Sequence, residues 1–190
     1  MRVTRILGVD PGWASLGLVV AELVDGRLTG GSLVHATTVR TSARKRAGVT
    51  YAQRERRRAR ELFDRLSSQM DGVDLVVSEA PTLVPSRTKS SMSVGRAFGL
   101  LDGVTFALGV PVFYFTAGEI KHAATGSTKA SKGAVADGVA RALPGMETML
   151  ERQRITGEDS TSHAYDAGGA ILAALADERF TMLLTGREAS

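Results

Sequence analysis

The chain has 190 residues, no cysteine and a formal net charge of +4. A chain of this length forms one domain that buries about 70% of its unfolded surface, and the lack of cysteine excludes disulfides and thiolate metal sites. No run approaches the roughly 20 apolar residues of a membrane helix, and Ile6–Val9 is too short for the apolar core of a signal peptide. We therefore expect a cytoplasmic protein without a membrane partner, with one domain over residues 1–180 and a flexible tail over residues 181–190.

The N-terminal part of the chain predicts three strands. They are Ile6–Val9, Leu16–Leu23 and Leu28–Val34, with Asp25-Gly26 as the turn between the last two. This pattern predicts an antiparallel meander. The first strand ends on Asp10 and is broken at once by Pro-Gly, which places a carboxylate at the rim of the sheet; the other interpretation is that Asp10 only caps the turn.

A basic, amphipathic helix is predicted next, from about Thr50 to Met70. Ten of the 24 lysine and arginine residues lie between residues 40 and 65. They are Arg40, Arg44, Lys45, Arg46, Arg54, Arg56, Arg57, Arg58, Arg60 and Arg65. Such a cluster is consistent with phosphate contacts, and equally with a solvated face whose apolar side packs on the core.

A second acid ends a second buried strand. Val73–Ser78 is rich in valine with little alternation, which is typical of a central strand covered on both faces, and it ends on Glu79. The alternative for this acid is a pair with an arginine. A polar, basic loop over Leu83–Val94 and a helix from about Met92 to Leu108 follow.

The remaining elements alternate between strand and helix. Val110–Phe115 predicts a strand, Ser131–Leu143 a helix, and the segment from His163 to about Leu175 a last helix. Alternation of this kind predicts an α/β fold with a mixed sheet and helices on both faces. Ligands of such sheets gather beyond the carboxyl ends of the strands, where Asp10 and Glu79 are expected.

The last helix adds a histidine and a third acid. His163 and Asp166 are three residues apart and share a helix face, with about 5 to 6 Å between Cβ atoms. Like charges about 4 Å apart repel by about 4 kcal/mol at an effective dielectric near 20, so converging acids require a cation. Two Mg2+ ions about 3.5 to 4 Å apart stabilise the attacking and leaving oxygens of phosphodiester cleavage. The residues alone therefore favour a metal-dependent nuclease.

In their order along the chain, these motifs resemble the RuvC family of Holliday junction resolvases, which have the RNase H-like fold. The similar segments are Ile6–Gly12, Leu75–Glu79, Ser93–Gly99 and His163–Ala167, and Lys121 and Lys132 have the spacing of two basic residues beside the scissile phosphate. The resemblance implies an RNase H-like mixed five-stranded sheet with helices on both faces. It also implies a homodimer that resolves four-way junctions by paired symmetric nicks, with branch-migration proteins as further partners.

The resemblance assigns roles to particular residues. Asp10, Glu79, His163 and Asp166 are expected to be catalytic and to bind Mg2+ or Mn2+, two ions per active site. Lys121, Lys132, Arg87, Lys89 and Arg96 are expected to contact DNA.

The chain departs from the family pattern at two places. The last motif of the family usually holds two aspartates, whereas His163 takes the first position here; because imidazole is a softer ligand than carboxylate, we predict a preference for Mn2+. Thr82 and Leu83 stand where the family tends to have an aromatic residue. Leu83 either acts as an apolar wedge between bases or packs within the protein, and Trp13 likewise either stacks on a base or packs beneath its loop.

Other functions fit parts of the sequence. A nuclease of the same fold acting on RNA or on other branched DNA has the same motifs. An actin/Hsp70-like nucleotide-binding protein would use Asp10 and Asp166-Ala167-Gly168-Gly169 in phosphate loops. A non-catalytic nucleic-acid-binding module would explain the basic cluster but not the converging acids.

Overall fold

The computed structural model describes residues 1–41, 48–82, 88–154 and 162–185. The strands are β1 (Val3–Pro11), β2 (Ser15–Val24), β3 (Leu33–Arg40), β4 (Leu75–Glu79) and β5 (Val112–Phe115). The helices are α1 (Tyr51–Ser68), α2 (Thr88–Leu108), α3 (Ala117–Thr125), α4 (Lys132–Ala142), α5 (Met146–Arg154), α6 (Ser162–Ala176) and α7 (Glu178–Thr185). No helix in these ranges is long and apolar enough to cross a membrane.

The strands form one mixed sheet in the order β3-β2-β1-β4-β5. β1 is antiparallel to β2 and parallel to β4, and β4 is parallel to β5. The carboxyl ends of β1, β4 and β5 therefore meet at one edge. The predicted five-stranded mixed sheet is confirmed.

Both faces of the sheet are covered, as the apolar runs predict. Successive side chains of a strand point to opposite faces, so Ile6 joins a core that includes Ile171 of α6, while Leu7 joins a second core with Leu62 of α1 and Leu101 of α2. All five side chains are at most 2% exposed. Burial of an aliphatic side chain contributes about 1.5 to 3 kcal/mol to the stability of the fold, so these two cores hold the central strands rigidly in place.

The third strand differs from the prediction. Asp25 and Gly26 do form the turn, with φ of 48° and 75°. Residues 28–32, however, form a loop in which Ser32 Oγ accepts a hydrogen bond from the Thr29 amide at 2.7 Å. The strand starts only at Leu33 and continues through Thr38, which is 3% exposed. A half-polar stretch with a buried threonine gives little indication of a strand in the sequence. The strand forms there because pairing with β2 outweighs local propensity.

Three helices were not predicted: α3, α5 and α7. For α3 the signal was present, because Thr116 and Glu119 form a capping box at its start. The predicted beginning of a tail at residue 181 falls inside α7, whose Leu184 is 3% exposed. Residues 186–190 lie outside the described part of the chain.

Candidate active site

The sheet brings the first two acids together. In the parallel pair of β1 and β4, Val9 lies opposite Ser78, so Asp10 and Glu79 follow at adjacent positions on the same edge. The Asp10 side chain is 19% exposed, and Glu79 is partly buried. Both acids are therefore held at the rim by buried strand residues that precede them.

Two glycines allow α6 to approach this edge. A Cβ on Gly17 of β2 would lie 2.0 Å from the His163 carbonyl oxygen, and a Cβ on Gly8 of β1 would lie 2.3 Å from the Ala167 carbonyl oxygen. No side chain fits at either position, so the backbone of α6 rests directly on the backbone of β1 and β2. This contact carries His163 and Asp166 to the carboxyl end of β1.

The side chains of this site converge within a few ångströms. His163 Nδ1 lies 2.5 Å from Asp10 Oδ2, and the other ring nitrogen, Nε2, lies 2.7 Å from Ser15 Oγ. Asp10, His163 and Asp166 each offer a ligand atom, and these atoms all lie within 4.8 Å of one another. We call Asp10, Glu79, His163 and Asp166 the acidic cluster.

Glu79 is within electrostatic reach of Asp10 and Asp166. Burial, together with the negative charges of Asp10 and Asp166, raises the pKa of Glu79. Burial and the charge of Asp10 likewise raise the pKa of Asp166. The hydrogen bond to Asp10 raises the pKa of His163, although burial opposes this rise. Proton binding is thus favoured at Glu79, Asp166 and His163, as expected where negative charge is concentrated away from water.

The donor set fits a divalent cation. Carboxylate oxygens suit Mg2+ and Mn2+, and an imidazole adds affinity for Mn2+ and later metals. A cation among these atoms would offset both the burial and the repulsion between the acids, which together raise the pKa values of Glu79 and Asp166. The cluster therefore has both the atoms and the unbalanced charge of a metal site.

Two predicted DNA contacts lie close to the cluster. The charges of Lys132 and Lys121 lower the pKa of Glu79 against the larger effects that raise it, so both ammonium groups are within electrostatic reach. Lys132 begins α4 directly after its N-cap, Ser131, and is exposed, while Lys121 on α3 is partly buried. Within the described ranges neither lysine forms an ion pair with a carboxylate.

The other predicted DNA contacts are placed differently. Arg96 Nη1 donates to Glu55 Oε2 at 2.7 Å, and the same oxygen accepts from Trp13 Nε1 at 2.8 Å. Trp13 is only 8% exposed, so its ring packs within the protein beneath the turn that follows Asp10. Arg87 lies outside the described residues, as do Leu83 and the side chain of Lys89.

Sequence reasoning did not identify Ser15, Gly8 or Gly17 as parts of the site. The two glycines did carry a signal, because a glycine inside a strand often marks close approach of another backbone. Ser15 carried none, since its partner is 148 positions away in the sequence.

The glycine pair after Asp166 argues against the nucleotide-binding alternative. Gly168 and Gly169 lie inside α6, where a Cβ would come within 2.6 Å of Val139 and 2.7 Å of Ile120. They allow helices to pack and do not form a loop after a strand. The actin/Hsp70-like interpretation is therefore wrong for this motif.

The fold and the acidic cluster together define a nuclease of the RNase H-like class. Residues 6–151 match the sequence model of the family described as crossover junction endodeoxyribonuclease RuvC. The chain therefore belongs to the RuvC family and is an endodeoxyribonuclease.

Individual relatives agree with this assignment. A RuvC of Pseudothermotoga lettingae is 32% identical over 128 residues, covering 67% of this chain and 72% of that protein. One from Frankia alni is 31% identical over 148 residues, covering 73% of this chain and 66% of that protein.

Solved structures share the fold. Thermus thermophilus RuvC in complex with Holliday junction substrate aligns with a TM-score of 0.67 and 24% identity, covering 90% of this chain and 92% of that one. The yeast mitochondrial Holliday junction resolvase Ydc2 aligns with a TM-score of 0.52 and 11% identity, covering 97% of this chain and 83% of that one.

Proposed function

We propose that this endodeoxyribonuclease resolves four-way (Holliday) DNA junctions by paired, symmetric nicks. The observation that carries the proposal is the convergence of Asp10, His163 and Asp166 within 4.8 Å, beside Glu79, in a chain of the RuvC family. A related protein of the same fold was solved with a Holliday junction. We further propose that the protein acts in the cytoplasm together with branch-migration proteins, as the family resemblance implies.

The acidic cluster would hold two divalent ions, Mg2+ or Mn2+. Bound ions of this kind activate a water molecule and stabilise the leaving oxygen of a phosphodiester. The protein supplies the placement: Asp10 and Glu79 are fixed by neighbouring strands, and His163 and Asp166 by the contact of α6 with the sheet. His163 directs the preference toward Mn2+, because it offers nitrogen where a fourth carboxylate would offer oxygen.

Basic residues around the cluster would orient the DNA backbone. Lys121 and Lys132 contact phosphates beside the scissile bond, since both lie near Glu79 and are free of carboxylate partners in the described ranges. Arg87, which precedes α2 in the sequence, and Lys89, which lies within the α2 range, would contact the flanking strand. Arg96 contributes indirectly, because its ion pair with Glu55 fixes α2 against α1 beside the Asp10 turn.

The unburied side of α2 is suited to dimer formation. Met92 and Phe106, which are 54% and 89% exposed, lie on the same helix face as Gly95, Gly99 and Gly103, where a Cβ would meet no atom within 4 Å. The opposite face of α2 is buried in the core. Glycines let a second α2 approach closely, while the two apolar side chains would be covered. A two-fold dimer through this face would match the symmetry of a four-way junction and present two active sites to opposed strands.

Cleavage of defined DNA structures tests the proposal. Labelled four-way junctions, flaps and plain duplex are incubated with the protein and Mg2+ or Mn2+, with Asp10→Asn as the control. We expect paired nicks at symmetric positions of the junction that disappear in the variant. Equal cleavage of plain duplex, or cleavage of RNA substrates in preference to junction DNA, would contradict it.

A further inference from the structure

His163 has a partner on each of its two ring nitrogens. Nδ1 lies 2.5 Å from Asp10 Oδ2, and Nε2 lies 2.7 Å from Ser15 Oγ. A neutral imidazole that binds a metal ion uses one nitrogen and keeps its proton on the other. The acceptor of that proton therefore fixes both the orientation of the ring and the nitrogen that faces the metal.

The surroundings of the ring distinguish its two nitrogens. Nδ1 faces Asp10, which belongs to the acidic cluster, whereas Nε2 faces a neutral hydroxyl on β2. We propose that Ser15 is the positioning residue for His163: in the ion-bound protein its Oγ accepts a hydrogen bond from Nε2–H, so the Nδ1 lone pair, which faces Asp10, is left for the divalent ion. This inference rests on the metal site of the proposed function.

The backbone holds the Ser15 hydroxyl in place. Ser15 begins β2 and pairs with Arg40 of β3, and the chain turns so tightly before it that a Cβ on Gly12 would lie 2.1 Å from the Ser15 carbonyl oxygen. Asp10 and Ser15 thus stand at the two ends of one short, rigid turn. His163 is held between them, which restricts rotation of its ring.

The opposite proton arrangement would give His163 another role. If Ser15 donated its hydroxyl proton to Nε2, then Nδ1 would carry the ring proton and donate to Asp10. The imidazole would orient the carboxylate and would not bind the ion. The two arrangements differ in which nitrogen responds to metal, so they can be separated by measurement.

Metal binding by a matched pair of variants tests the role of the hydroxyl. Ser15→Thr keeps an oxygen and Ser15→Val replaces it with a methyl group of similar shape, and both residues suit a strand. Calorimetric titration of each purified protein with Mn2+, without DNA, measures the affinity. We expect Ser15→Thr to bind like the wild type and Ser15→Val to bind about 10-fold more weakly or worse, as when the hydrogen-bond partner of a metal-bound histidine is removed.

Equal Mn2+ affinity of the threonine and valine variants would overturn the inference. Thermal unfolding of both variants checks that they are folded, and Ser15→Ala replaces the valine variant if that one does not fold. The alanine variant is then expected to show the same loss of affinity, and wild-type affinity would overturn the inference equally.

Nuclear magnetic resonance identifies the nitrogen that binds metal. The chain has 3 histidines, so protein labelled with 15N-histidine gives few long-range proton–nitrogen correlations. The correlations that are missing from the spectrum of the His163→Asn variant are assigned to His163. On addition of Zn2+, a diamagnetic probe, we expect the Nδ1 signal to move and Nε2 to keep its proton. Movement of the Nε2 signal, or no change at the ring, would overturn the inference.

Neither experiment contains DNA. A protein that passes both and still fails to cut four-way junctions would therefore contradict the proposed function without affecting the role of Ser15.

Discussion

The close contact between Gly17 and α6 gives the sharpest prediction. Gly17 lies opposite Asp10 in the antiparallel pair of β1 and β2, and the His163 carbonyl rests on it. Substitution of Gly17 by alanine adds one methyl group at the point where the sheet meets the helix. No titratable group or metal ligand is changed, so any effect arises from displacement of α6.

The size of the displacement follows from the geometry. The added Cβ would lie 2.0 Å from the His163 carbonyl oxygen, whereas real Cβ contacts essentially never fall below 3.0 Å, so α6 and β2 must separate by about 1 Å at His163. Overpacking of this kind typically costs about 1 to 3 kcal/mol of the free energy of unfolding. A shift of about 1 Å in a catalytic group can lower the rate about 100-fold.

Two measurements separate the effect on the site from the effect on stability. Chemical denaturation gives the free energy of unfolding, and single-turnover cleavage of a four-way junction, at a temperature where both proteins are folded, gives the rate. Gly31→Ala is the matched control, because a Cβ there meets nothing within 4 Å and removal of a glycine at an unstrained position stabilises by about 0.4 to 1 kcal/mol. A Gly17→Ala variant with wild-type stability and wild-type cleavage would refute the proposed close contact of α6 with β2.

Three further predictions concern the metal, the pH and the dimer. His163→Asp is expected to bring the ratio of cleavage rates in Mn2+ and Mg2+ toward one; an unchanged ratio would show that the imidazole does not set the preference. Burial raises the pKa of Glu79 and of Asp166 above 4.5 and 3.8, and a carboxylate hydrogen bond raises that of His163 above 6.5. Protonation of these groups therefore favours the folded state, so the metal-free protein should lose stability as pH rises above the ordinary pKa values and through the raised ones. Denaturation at a series of pH values, with and without Mg2+, measures this loss of stability. A loss that Mg2+ leaves unchanged would argue against the cluster. Phe106→Glu should yield monomers in sedimentation and abolish paired nicking, while Phe63→Glu on α1, where the side chain is 48% exposed, should leave the dimer intact.

The sheet and the rim acids could be predicted because their signals are local. Apolar runs that end on Asp10 and Glu79 gave the central strands, and parallel pairing then places both carboxylates at one edge. The family resemblance added Lys121 and Lys132, which the structure places near Glu79. These features require only periodicity and motif order, both of which a single sequence contains.

The packing around His163 could not be predicted in the same way. Ser15 and Gly17 act on a residue nearly 150 positions away, and nothing in their neighbourhood in the sequence marks that partner. Arg96 was assigned to DNA from the family resemblance, and its ion pair with Glu55 depends on how α1 lies against α2. Long-range partners of this kind are set by tertiary structure, which local patterns do not encode.

The contact of α6 with the sheet also determines how deeply the acids of the site are buried. Gly8 and Gly17 allow the helix to bury His163 and Asp166 beside Asp10, and the same burial raises the pKa of Asp166 by separating its charge from water. A ligand that binds only the folded state stabilises it by about 2.7 kcal/mol at 100 times its dissociation constant. A divalent ion would therefore offset the burial of negative charge that the glycine contacts allow. The position of α6 and the affinity for metal are consequently coupled, and a change at Gly17 should weaken metal binding even though Gly17 has no side chain to offer.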